Sequence, residues 1–159
     1  MRIVVDTNIL FSAMLNTDSQ IAHILLQPKS TLNFYTSQTL AEEINEHAGK
    51  LRKIAGYITK EFDAVLRIFT SRIRFINPIL IPKPIFEASL QLTQDIDIDD
   101  TEFVALAEHI KGYLWSGDHV LRKGLEKKEV ETVCPDRTTD FKIGEEIKTE
   151  MTDRSGLLR

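Results

Sequence analysis

The sequence predicts an α/β protein with three layers, in which helices cover both faces of a central parallel sheet. Segments with the composition of strands alternate with segments that have apolar residues at helical spacing, and this order favours a parallel sheet. The first strand candidate, "RIVV" at residues 2–5, is apolar and β-branched after its arginine, as strands buried on both faces are. The length of 159 residues suits one domain around one hydrophobic core.

Helical periodicity begins directly after the first strand. Apolar residues at helical spacing run through "TNILFSAML" (residues 7–15), and "AHILLQ" (residues 22–27) continues or restarts the helix. The next segment, "TLNFYTS" (residues 31–37), is rich in β-branched and aromatic residues and predicts a second strand.

The two helices that follow have hydroxyl side chains at their starts. Thr36 or Ser37 is a candidate cap for the helix "TLAEEINEHAGKL" (residues 39–51). Thr59 is the candidate cap for the helix "TKEFDAVLRIF" (residues 59–69).

Prolines divide the second half of the chain from the first. "INPILIPKP" (residues 76–84) contains three prolines and predicts a loop, and "IFEASLQLTQ" (residues 85–94) predicts the helix after it. Asp99 is the expected N-cap of the helix "DTEFVALAEHI", and Glu102 completes the pattern of a capping box.

The last predicted elements are short. "GYLWS" (residues 112–116) predicts a strand, "GDHVLRKGL" (residues 117–125) the start of a helix, and "VETVC" (residues 130–134) a final strand. We expect a single domain over residues 1–140, followed by a C-terminal helix or flexible tail over residues 141–159.

Composition and charge exclude several classes of protein. The formal net charge of −4 is not that of a non-specific DNA-binding protein, and the basic clusters at residues 50–53, 71–74 and 122–128 are interpreted as solvated helix faces. A single cysteine excludes an internal disulfide and a zinc cluster built on cysteines. No apolar run is long enough to cross a bilayer and the start does not resemble a signal peptide, so we expect no membrane association and a cytoplasmic location.

Four acidic residues are predicted to meet at one edge of the sheet. Asp6 ends the first strand, Asp118 follows the strand at residues 112–116, Asp100 begins a helix, and Glu43 lies one turn into the helix after the second strand. Ligands of open parallel sheets bind beyond the carboxyl ends of the strands. Asp6 alone could be only a helix cap and Asp118 only a turn residue.

A pocket with four carboxylates and no basic partner requires a compensating cation. Oxygen ligands select hard cations such as Mg²⁺ or Mn²⁺, and these ions suit hydrolysis of phosphodiester bonds.

Four motifs together resemble the PIN domain, most closely the VapC-type toxin ribonucleases. They are "VVDTNIL" at residues 4–10, "TSQTLAEEI" at 36–44, "DIDDTEFVALA" at 97–107 and "LWSGDHVL" at 114–121. The resemblance implies a sheet-centred α/β/α fold and an endoribonuclease that depends on Mg²⁺ or Mn²⁺ and cleaves single-stranded RNA. It also implies an antitoxin partner and a homodimer.

The resemblance also assigns roles to individual residues. It implies that the catalytic acids are Asp6, Glu43, Asp100 and Asp118, with metal ligation by the three aspartates. It further implies supporting roles for Asn8, Asp97 and Ser116. Separately, Arg122 and Lys123 lie one turn past Asp118 and are candidates for contacts with the RNA backbone.

Two other functions are compatible with the sequence. The first is a catalytically inactive PIN-type module that binds protein or RNA. The second is a phosphoryl-transfer enzyme of another α/β class, since "DTN" resembles the strand-end aspartate of haloacid dehalogenase-like phosphatases, although Asn8 replaces their second aspartate.

Overall fold

The computed structural model describes residues 1–28 and 32–130, which form a four-stranded parallel sheet with helices on both sides. The strands lie in the order β3-β2-β1-β4. They are β1 (Arg2–Val5), β2 (Asn33–Ser37), β3 (Ile73–Ile76) and β4 (Tyr113–Trp115). The helices are α1 (Thr7–Leu15), α2 (Gln20–Leu25), α3 (Thr39–Ala55), α4 (Thr59–Thr70), α5 (Lys83–Thr93), α6 (Thr101–Ile110) and α7 (His119–Lys127). Two 3-10 helices occupy Pro78–Leu80 and Ile98–Asp100.

The alternating side chains of β1 divide the core into two layers. Ile3 and Val5 pack with buried residues of α1 to α4 on one face of the sheet. Val4 points to the other face and packs with α6, α7 and partly buried residues of α5. Burial on both faces explains why β1 is continuously apolar after Arg2. The predicted three-layer α/β/α fold is confirmed.

The register of the sheet aligns the carboxyl ends of β1 and its two neighbours, β2 and β4. Val4 pairs with Tyr35 of β2, and Val5 pairs with Trp115 of β4. At the end of the strands, the Asp6 backbone N–H donates to the Trp115 carbonyl at 3.1 Å, and the Thr36 hydroxyl donates to the Val5 carbonyl at 2.9 Å. The residues that follow β1, β2 and β4 therefore leave the sheet at one edge.

The edge strand β3 was not predicted. Residues 71–74 were interpreted as part of a solvated helix face, which is wrong, because Ile73 is buried at the start of β3 and pairs with Phe34. Arg74 is exposed and lies over the Tyr35 ring. The predicted loop at residues 76–84 begins at the last residue of β3, contains a 3-10 helix and ends inside α5.

Two of the predicted helix caps are wrong. Thr59 is the first residue of α4, and its predecessor Ile58 instead donates its backbone N–H to Glu61 at 3.0 Å. Asp99 does not cap α6, because Asp97 starts a 3-10 turn earlier by accepting from the Asp99 backbone N–H at 3.0 Å.

The start of α3 agrees with one of its two candidate caps. The Ser37 hydroxyl accepts from the Thr39 backbone N–H at 3.3 Å, although Gln38 is the residue that directly precedes the helix. The hydroxyl of the other candidate, Thr36, is bound to the Val5 carbonyl.

Three predictions concern residues outside the described ranges. The strand at Val130–Cys134 lies beyond them apart from Val130, and so do the tail at residues 141–159 and the domain boundary at residue 140. Across residues 1–28 and 32–130, no helix has the length and apolar character of a membrane span.

Candidate metal centre

A cleft of about 610 Å³ lies beyond the carboxyl ends of β1 and β2. We call it the acidic cleft, because five carboxylate side chains from the described residues line it. They are Asp6, Glu43, Asp99, Asp100 and Glu102. The first comes from the end of β1, the second from α3, and the rest from the 3-10 turn and first residues of α6. Three of the four predicted catalytic acids, Asp6, Glu43 and Asp100, therefore share one cavity.

Asp6 is a buried carboxylate, with 3% of its surface exposed. Its Oδ2 accepts a hydrogen bond from the Ser116 hydroxyl at 2.6 Å. Burial raises the pKa of Asp6, and the negative charge of Glu43 adds to this rise. The Ser116 hydroxyl and the backbone N–H groups of Thr7 and Asn8 act in the opposite direction without cancelling it.

The pKa of Asp100 is strongly shifted by its position in the cleft. Burial raises the pKa of its carboxyl to about 7, and four neighbouring aspartates contribute to the increase. In decreasing order of effect these are Asp6, Asp97, Asp118 and Asp99. The other two predicted metal ligands, Asp6 and Asp118, thus lie close enough to Asp100 to raise its pKa.

Asp118 approaches the same site through Ser116 but does not line the cleft. Its backbone N–H donates to the Ser116 hydroxyl at 3.0 Å. Its Oδ1 accepts from the backbone N–H groups of Val120 at 2.6 Å and Leu121 at 3.1 Å, so the carboxylate caps α7.

The predicted supporting residues have different environments. Ser116 is buried and joins Asp6 to the start of α7. Asp97 is exposed and caps the 3-10 turn before Asp100. Asn8 lines the acidic cleft, but within the described residues its side-chain amide makes no hydrogen bond.

The two candidates for RNA contacts are not equivalent. Lys123 is exposed, whereas Arg122 is only 8% exposed on the buried side of α7. The predicted phosphate contact of Arg122 conflicts with this burial, because a side chain that reaches RNA must be accessible.

Two cleft residues were missed or misinterpreted in the sequence. His47 lies four residues after Glu43 on α3, a spacing that places both on one helix face and could have identified it. Glu102 was interpreted as a capping residue, but its carboxylate accepts a hydrogen bond from the Thr39 hydroxyl. No sequence pattern indicates this link between α3 and α6.

The chemistry of the donors fits a hard divalent cation. Within residues 1–28 and 32–130, no Lys, Arg or His forms an ion pair with Asp6, Glu43, Asp100 or Asp118. In the same residues, no three acidic, His or Cys side chains form a ready-made metal cage. Mg²⁺ does not need one, since it usually retains several waters and binds one or two carboxylates.

Comparisons with known proteins agree with this architecture. A chain in the crystal structure of VapBC2 from Rickettsia felis, bound to a DNA fragment from their promoter, matches this fold with a TM-score of 0.62. The two are 15% identical, and the match covers 84% of this chain and 96% of that chain, so the likeness is one of fold. No curated protein matches the sequence.

The family model for the PIN domain matches residues 4–138. This range contains the four motifs that carry the resemblance and all of the described sheet except the first two residues of β1. PIN domains are generally nucleases. The match spans most of the sequence, and the chain therefore belongs to the PIN domain family.

Proposed function

We propose that this protein is a divalent-metal-dependent endoribonuclease that cleaves single-stranded RNA, and that it acts as the toxin of a toxin–antitoxin pair. One observation carries the proposal. Asp6, Glu43 and Asp100 come from three separate elements and line one cleft, where no described residue forms an ion pair with them. Such an arrangement is electrostatically unfavourable without a bound cation.

The aspartates and Glu43 would have different roles at the site. Asp6 and Asp100 would hold the ion from the cleft, together with Asp118 at the start of α7. When bound, a divalent ion activates water and neutralises charge on the phosphate. Glu43 would orient the attacking water by accepting its hydrogen bond. Ser116 would hold the Asp6 carboxylate in place through the bond at 2.6 Å.

The cleft would admit RNA only in the presence of metal. The carboxylates of Asp6, Glu43 and Asp100 repel phosphate as long as their charge is not compensated. RNA binding and metal binding are therefore expected to depend on each other.

The partners are proposed from the structural likeness. The similar structure from Rickettsia felis is that of VapBC2 bound to a DNA fragment from their promoter. By analogy with this complex, we propose an antitoxin partner for this chain. A homodimeric state and a cytoplasmic location are proposed from the resemblance of its motifs to VapC-type toxins.

Neighbouring glutamates on α3 allow a matched test of the active site. Glu43 lines the cleft, whereas Glu42 is exposed outside it. We expect Glu43→Gln to slow cleavage of a single-stranded RNA oligonucleotide by about a hundredfold or more, which is the scale of acid–base catalysis. Glu42→Gln removes the same charge one residue away and should retain full activity. The measurement is the cleavage rate with Mg²⁺ or Mn²⁺ and with EDTA.

Several results would contradict the proposal. They are cleavage that persists in EDTA, equal losses in the two glutamine variants, or undiminished cleavage by Asp6→Asn. If the protein is instead an inactive PIN-type module, calorimetric titration should show that the wild-type chain binds Mn²⁺ no more tightly than the Asp6→Asn variant.

A further inference from the structure

A second cavity of about 390 Å³ opens beside the acidic cleft, between α1 and α3. We call it the α1–α3 groove. Its lining includes Phe11 and Leu15 from α1, and Lys50 and Ile54 from α3. Asn8 and His47 line both the groove and the acidic cleft. A flexible polymer bound at the cleft can therefore extend into the groove without leaving the protein surface.

Aromatic and apolar side chains form the walls of the groove. The rings of Phe11 and His47 meet edge to face, with centroids 5.9 Å apart and an interplanar angle of 86°. Leu15 and Ile54 are among the large apolar side chains that remain exposed, at 38% and 61%. Rings beside exposed apolar surface suit a planar nucleobase, because all four bases can stack on aromatic side chains.

The charge changes sign along one face of α3. Glu43 faces the acidic cleft, His47 lies at the border, and Lys50 faces the groove. Spacings of four and three residues place these side chains on the same side of a helix. Lys50 makes no ion pair within the described part of the chain. Its ammonium is available for a phosphate that follows the one in the cleft.

We propose that the α1–α3 groove binds one nucleotide of the RNA substrate next to the scissile phosphate. The base lies against Phe11 and His47, and a flanking phosphate contacts Lys50. This inference rests on the proposed ribonuclease function. The volume of the groove falls within the range of about 300–1,000 Å³ typical of small-ligand sites. A peptide would use the apolar walls but gives no reason for a cation beside a phosphate-binding cleft.

Binding of RNA provides the first test. The Glu43→Gln variant is a suitable background, because it keeps the proposed metal ligands and lacks the residue that orients water. Affinity for a fluorescent single-stranded RNA in Mn²⁺ is measured by anisotropy at several salt concentrations. Adding Lys50→Ala should reduce the slope of log affinity against log salt by about 0.7, as expected for one lost phosphate contact.

Lys60 provides the matched control. It is exposed on α4 and does not line the groove, so Lys60→Ala should leave the salt slope unchanged. Equal effects of the two alanine variants would overturn the proposal, because they would reflect overall charge alone.

The ring contacts are tested separately. Phe11→Leu keeps an apolar side chain against the core but removes the stacking ring, and His47→Ala changes an exposed residue. Each should weaken RNA binding by about fivefold or more, since stacking of one base contributes at least that factor. Photo-crosslinking of RNA that contains 5-iodouridine should modify the segments around Phe11 and His47.

The outcomes separate this inference from the function on which it rests. If the wild-type chain shows no metal-dependent RNA cleavage, the ribonuclease proposal fails. If it cleaves RNA but the Lys50, Phe11 and His47 variants bind RNA as the background does, only the nucleotide subsite is rejected. The α1–α3 groove would then be a candidate binding site for a protein partner instead of RNA.

Discussion

The Ser116 hydroxyl lies between the carboxylate of Asp6 and the backbone of Asp118. The hydroxyl donates its proton to the Asp6 carboxylate, and its oxygen accepts a hydrogen bond from the Asp118 N–H. Because Asp6 is buried, its ionised form depends on this donor. A single short side chain therefore links the carboxylate that follows β1 to the backbone that follows β4, in addition to the bond between the Asp6 N–H and the Trp115 carbonyl.

The carboxyl group of Asp100 should make the stability of the metal-free protein depend on pH. Its pKa rises from 3.8 to about 7 on folding, so between these values the folded state keeps a proton that the unfolded chain has lost. Stability therefore falls as pH rises through this window. We expect Asp100→Asn to increase the free energy of unfolding at pH 8 by about 1–2 kcal/mol, a figure reduced for partial solvent exposure. Urea denaturation in EDTA should show a smaller gain at pH 5.

Asp95 supplies a control of opposite sign. Its side chain forms a hydrogen bond and ion pair with Lys128, which holds the pKa of Asp95 below its usual value. Asp95→Asn should therefore give no stabilisation at pH 8. A pH-independent effect of Asp100→Asn would show that burial and the neighbouring aspartates do not raise the pKa of Asp100 on folding.

The acids that line the cleft could be predicted from the sequence, but the orientation of every candidate side chain could not. Asp6, Glu43 and Asp100 line the cleft as strand-end and helix-start positions predict. The cap formed by Asp118 on α7 and the burial of Arg122 were not predicted. Both depend on which side chains the folded neighbours offer, and a linear pattern does not contain that information.

Two glycines should respond in opposite ways to substitution by alanine. A Cβ at Gly112 would lie 2.8 Å from the carbonyl oxygen of Arg2, so the start of β4 could not stay as close to β1. A Cβ at Gly49 in α3 would meet no atom within 4 Å. We expect Gly112→Ala to destabilise the protein by about 1–3 kcal/mol and Gly49→Ala to stabilise it by about 0.5–1 kcal/mol. Chemical denaturation measures both, and destabilisation by Gly49→Ala would contradict the helix assignment.

Strands and helices were predictable where pattern and burial agree. Strand β1 is apolar and buried after Arg2, β4 is short and buried at its last two residues, and α6 has buried residues through most of its length. In the edge strand β3, Arg74 lies between Ile73 and Phe75, and Arg72 directly precedes the strand; these two positive charges obscured its period of two. The caps of α4 and α6 failed because other groups satisfy the first turns of these helices.

The whole molecule should become more stable when metal binds. An ion that binds only the folded state stabilises it by about 2.7 kcal/mol at one hundred times its dissociation constant. We expect Mn²⁺ to raise the Tm of the wild-type protein in a thermal shift measurement and to have little effect on Asp6→Asn. Sodium chloride at equal ionic strength controls for screening. Equal shifts in the two proteins would exclude Asp6 from the metal site.

The strand order has a consequence for synthesis of the protein on the ribosome. β1 is made first, yet it lies between β2 and β4, and Asp6 receives its hydrogen bond from a residue made after more than a hundred others. A growing chain that ends before β4 leaves one side of β1 unpaired and Asp6 without its donor. In the cell that makes this protein, the acidic centre is therefore complete, with Asp6 bonded to Ser116, only after β4 has been translated.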